Sequence, residues 1–81
     1  MVRLRELALD EIKKLSSRKG VRKRAVENFL MTLTANEDSS TAYTNLSLDA
    51  RLYNWNSATV NAIARGIELA SKPIKEVIKN A

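Results

Sequence analysis

Cysteine and histidine are both absent from the 81-residue sequence. No disulfide or thiolate metal site can support the fold. The commonest metal ligand and the commonest general base are missing as well. Two glycines and one proline disfavour an all-β architecture, which needs many turns. Aromatic residues number four, namely Phe29, Tyr43, Tyr53 and Trp55. No apolar run approaches the roughly 18 residues that a membrane span requires. The stretch from Met1 to Leu9 mixes charges with leucines and lacks the apolar core of a signal peptide. These absences leave one small domain whose core is built from aliphatic side chains, helped by a partner subunit if those are too few. Its expected location is the cytoplasm, or a nucleoid-associated or viral equivalent.

The missing residue types also bear on catalysis. No glycine-rich loop that cradles phosphate occurs, and no nucleophile–base pair can be assembled without His or Cys. The acidic neighbours Asp10–Glu11 and Glu37–Asp38 point in different directions on a helix, so they do not form a two-carboxylate centre. The chain therefore reads as a non-enzyme, with no cofactor, no metal and no evident small-molecule effector.

What the chain does have is positive charge. Fourteen Lys and Arg against nine Asp and Glu give a net charge of +5. A polyanion is the natural partner for such an excess. The charge is concentrated in Lys13, Lys14, Arg18, Lys19, Arg22, Lys23 and Arg24, with no acid between them. Such a run can bind phosphates and release counterions, or it can be a solvated turn that serves solubility. Membrane-surface binding is disfavoured by Glu6, Asp10 and Glu11 nearby. The aromatics do not interleave with the run, so a stacking platform for single strands is not expected.

Apolar spacing gives the helices. Leu4, Leu7, Ala8, Ile12 and Leu15 share one face of a helix expected over Val2 to Leu15. Ser16, Ser17 and Gly20 mark a break. Ala25, Val26, Phe29, Leu30 and Leu33 form the stripe of a second helix, Val21 to Leu33. Val2, Leu9 and Met31 lie off these faces. Thr34 to Thr41 is a polar loop, and Thr41 to Asn45 is ambiguous. A short helix with Ser47 as N-cap is expected to run to Tyr53 and to break at Asn54. Asn56 or Ser57 caps the next helix, which extends to about Ser71. Pro73 then ends it, kinks it or opens a final short helix. Val60, Ile63, Ile67, Ala70, Ile74, Val77 and Ala81 alternate steps of three and four. That seam is a core face, or in its part beyond Pro73 a contact with a second copy.

Residues 47–68 carry a more particular pattern. Ala50 is small. Asn54 lies four residues on and tolerates left-handed geometry. Trp55 follows it, and the branched aliphatics Val60 and Ile63 stand six and nine residues after Asn54. This spacing resembles the helix-turn-helix of DNA-binding proteins over about a quarter of the chain, with asparagine where that motif usually has glycine. An ordinary helical hairpin would use Trp55 and Val60 as core in the same way. The resemblance implies two helices crossing steeply, with the outer face of the second free to enter the major groove. In that register Asn56, Ser57, Ala58, Asn61, Ala62 and Arg65 face outward. Asn56, Ser57, Asn61 and Arg65 would read bases. Thr59 would reach a phosphate together with Arg18, Lys19, Arg22, Lys23 and Arg24, while Ala58 and Ala62 would allow close approach.

The expectation for residues 1–81 is thus a single all-α domain, a compact bundle of four to five short helices with a helix-turn-helix at about 47–70. Its expected role is sequence-selective binding of double-stranded DNA in transcription regulation, as a homodimer, without membrane contact. Two alternatives stay open. One is a non-specific architectural protein that binds DNA or RNA. The other is a helical module that binds another protein.

Overall fold

A computed structural model describes residues 4–33 and 38–71. Among them are four helices: α1 (Leu9–Ser16), α2 (Lys23–Met31), α3 (Ser39–Leu52) and α4 (Ser57–Ser71). They form a small all-α bundle with α4 at its centre. α4 packs against each of the other three, and α1 packs also against α2.

Apart from Phe29 the core is aliphatic, as the composition requires. Ile63 and Ile67 of α4 and Val26 of α2 are completely buried, with Leu30, Leu15, Ile12 and Leu46 closing around them. Within the described residues the three-four seam of α4 is therefore core: Ile63, Ile67 and Ala70 are buried, and Val60 is half-buried. Its continuation through Ile74, Val77 and Ala81, together with Pro73 and Val2, lies outside the described residues.

A second stripe on α4 is made of small residues at four-residue spacing: Ala58, Ala62 and Gly66. It lets neighbours come close. Ala58 lies under the α1–α2 turn, where a Cβ on Gly20 would stand 3.6 Å from its methyl group. Ala62 is wholly buried. At Gly66 a Cβ would fall 2.6 and 2.7 Å from the two methyl carbons of Leu30. Gly66→Ala therefore sets a helix-propensity gain of about 0.5–1 kcal/mol against overpacking of about 1–3 kcal/mol. Because Leu30 is itself buried, overpacking should dominate and lower the melting temperature. In a Leu30→Ala background the same substitution should become stabilising. Denaturation of the four members of this double-mutant cycle checks both signs.

The first helix is shorter than its periodicity predicts. Residues 4–8 are not helical. Leu4 is buried, and the Arg5 N–H donates to the Ala70 carbonyl at 2.9 Å, so the N-terminal segment runs against the last turn of α4. α1 starts after Ala8, whose N–H donates to the Glu11 carboxylate at 3.2 Å. Asp10 and Glu11 in that first turn suit the helix dipole.

The third helix is longer than predicted. Ser47 is not an N-cap but an exposed residue inside α3. The cap is Asp38, whose carboxylate accepts the Thr41 N–H at 2.8 Å. Only Ala42 and Leu46 of α3 are buried, so its apolar periodicity is weak and hides the helix. The bond from the Thr41 N–H, and then the Thr41 side chain, hold the Asp38 carboxyl below its usual pKa. A lowered folded-state pKa gives stability that is present above the ordinary carboxylate range, near 4, and lost as pH falls through the lowered value. Asp38→Ala should lower the melting temperature at neutral pH, and its difference from the parent should shrink as pH drops below about 4.

Candidate nucleic-acid interface

Asn54 has φ of 53°, the left-handed geometry expected of the turn residue between α3 and α4. The Trp55 N–H donates back to the Ala50 carbonyl at 3.0 Å and closes the turn. Trp55 is half-buried rather than buried. Its ring meets Phe29 edge-on, with centroids 6.3 Å apart, and stacks on Tyr53 at 5.7 Å.

The next residues join this turn to the basic run. The Asn56 Oδ1 accepts the Thr59 N–H at 3.3 Å and also the Thr59 hydroxyl, so Asn56 caps α4. Its Nδ2 donates to the Gly20 carbonyl at 2.7 Å. The Thr59 hydroxyl in turn accepts the Arg22 N–H at 2.9 Å. Gly20 itself is left-handed, with φ of 80°, and the turn carries no β-carbon where it passes over Ala58. Residues 36 and 37 positions apart in sequence are thereby fixed to each other. The α1–α2 turn lies against the N-terminus of α4, with Arg18, Lys19, Arg22, Lys23 and Arg24 all exposed around it.

These contacts correct several expectations. Asn56 has both ends of its amide engaged within the protein, so it caps a helix and is not placed to read a base. Thr59 is wholly buried and cannot reach a phosphate; its hydroxyl satisfies a backbone donor that would otherwise be costly to bury. Ala62 faces the core and Ala58 faces the α1–α2 turn, so neither supplies an outward surface. Ser57 and Asn61 are exposed as expected. Arg65 is half-buried and its guanidinium pairs with Glu68 at 2.5 Å across one turn. That contact engages one of the five guanidinium N–H donors and leaves the side chain 42% exposed, so Arg65 keeps donors for a further contact.

A cleft that the sequence did not announce opens between α2 and α3. It has a volume of about 390 Å³, and its lining includes Asn28, Phe29, Thr32, Asp49, Tyr53 and Trp55. Three of the four aromatic residues meet there. Among the described residues, no group of acidic side chains is arranged to hold a metal ion. No described helix is long and apolar enough to cross a membrane. No family model, curated protein or solved structure matches the chain.

Proposed function

We propose that the protein binds double-stranded DNA sequence-selectively, as a small transcriptional regulator, with α4 as the helix that enters the major groove. One observation carries this reading: the basic α1–α2 turn is hydrogen-bonded to the N-terminus of α4 through Gly20–Asn56 and Arg22–Thr59. Phosphate-binding charge thus stands beside the exposed polar positions of the helix. Arg18, Lys19, Arg22, Lys23 and Arg24 hold the backbone and set the register. Ser57 and Asn61 face the bases, Asn61 with an amide suited to the edge of adenine. Arg65 joins them through the guanidinium donors that its contact with Glu68 leaves open.

A homodimer follows from the same reading, since one unit covers only a half-site. The exposed Leu9 and Met31 beside the groove lined by Leu7, Ile12, Leu30 and Leu33 are its candidate contact. A protein-binding module is the second reading. It is favoured by Leu48 and Leu52, which stand one turn apart on α3 and are 60% and 72% exposed.

Selection of a preferred duplex from a random pool, followed by anisotropy titration, tests the proposal. Preference for the selected site should reach roughly 10³-fold over unrelated DNA. Asn61→Ala should weaken specific binding by about 1–3 kcal/mol and leave non-specific binding unchanged. Equal affinity for selected and unrelated duplexes would reduce the reading to the architectural alternative. No binding at low salt would favour the protein-binding module.

A further inference from the structure

The cleft between α2 and α3 plays no part in DNA binding as described above. Its chemistry is particular. Phe29, Tyr53 and Trp55 supply aromatic surface, Asn28 and Thr32 supply polar groups, and Asp49 supplies a carboxylate. Asp49 is half-buried and also lines a smaller adjoining cavity with Phe29, Thr32, Leu33 and Asn45. The ion pairs among the described residues are Arg5–Glu11 and Arg65–Glu68. Asp49 belongs to neither, in a chain with an excess of five positive charges.

We propose that this cleft binds a guanidinium group. Each candidate occupant can be judged by what it does to Asp49. An apolar side chain would strip water from the carboxylate and give nothing back. A nucleotide would set a phosphate near the carboxylate and be repelled. A cation is attracted by Asp49 and by the aromatic faces together. A planar guanidinium does both at once: it pairs with a carboxylate in bidentate fashion and stacks on an aromatic ring. Tyr53, exposed and stacked on Trp55 with 22° between the ring planes, offers a flat surface beside the carboxylate. The cleft volume is within the range of small-ligand sites. The guanidinium can come from a free small molecule or from an arginine side chain of a peptide.

Trp55 is the chain's one tryptophan, so its fluorescence reports directly on the cleft. The intact protein is titrated at constant ionic strength with methylguanidine and with the capped peptide acetyl-Gly-Arg-Gly-amide. The same peptide with citrulline, which is neutral and nearly isosteric, serves as control. Saturable emission changes in the millimolar range or below are expected with both guanidinium compounds and not with citrulline. A peptide that binds about ten-fold more tightly than methylguanidine identifies a protein-borne arginine, and equal affinities identify a free cation. Asp49→Asn should weaken binding about ten-fold with its circular dichroism unchanged. Tyr53→Ala, at an exposed position, should weaken it several-fold and provides an independent variant. The proposal is overturned if citrulline gives the same response, if neither substitution weakens binding, if no saturable change occurs, or if a nucleoside monophosphate binds more tightly than the peptide.

Discussion

Replacing Arg18, Lys19, Arg22, Lys23 and Arg24 together with glutamine should remove most of the affinity for duplex DNA and nearly flatten its salt dependence. Each phosphate neutralised on B-DNA contributes about 0.9 to the slope of log K against log salt. Loss of five such contacts should reduce that slope by about 4.5, and affinity near 0.15 M salt by about 10³-fold. The fold should survive. All five side chains are exposed, and what holds the turn to α4 is the backbone of Gly20 and Arg22, which glutamine leaves in place. Arg51, exposed on α3, is the control: Arg51→Gln should change the slope by less than about 1. Anisotropy titrations across a salt series read both quantities. A variant that keeps the parent's slope would show that phosphates are held elsewhere.

The second large effect is on stability. Ile63→Ala should cost about 3–4 kcal/mol, because the side chain is wholly buried in the central helix and the cavity it leaves is enclosed. A domain this small has only about 3–5 kcal/mol in total. The variant should therefore be largely unfolded at room temperature, or melt about 15–25 °C lower. Val60→Ala, three residues earlier and half-buried, should cost only about 1 kcal/mol. The contrast is informative because the helix-turn-helix pattern treats both as anchors. Urea denaturation followed by circular dichroism gives the two values, and equal costs would mean that α4 is rotated about its axis from the orientation described.

The sequence was most legible where one periodicity ran undisturbed. The buried faces of Val26–Leu30 and Ile63–Ala70 follow from apolar spacing alone, and the start of α4 follows from the capping residue Asn56. Leu4 and Leu7 fit a helical face equally well, yet the segment is non-helical. Its backbone meets the end of α4, a contact that no local pattern encodes. Only a fragment of α3 shows in the sequence, because a helix that buries only Ala42 and Leu46 carries little periodic signal.

For the candidate interface, residue type is a weaker guide than placement. The basic run and the left-handed Asn54 were visible. The junction between the run and α4 was not, because its hydrogen bonds link residues 36 and 37 positions apart. The same junction occupies Asn56 and Thr59, whose polar groups serve the protein's own backbone. By residue type alone, Ala58 and Ala62 suggest room for DNA. They are room for the α1–α2 turn and the core.

The position of α3 has a consequence for hydrogen exchange. Its backbone approaches only that of α4 among the four helices, and the cleft separates it from α2. Opening α3 alone would expose few buried side chains, whereas opening α4 would dismantle every helix contact except that of α1 with α2. The amides of α3 should therefore exchange through a local opening well below the global unfolding free energy, and those around Ile63 and Ile67 only through global unfolding. The chain would then behave as two cooperative units of unequal strength, and the Asp49–Tyr53 wall of the cleft belongs to the weaker one.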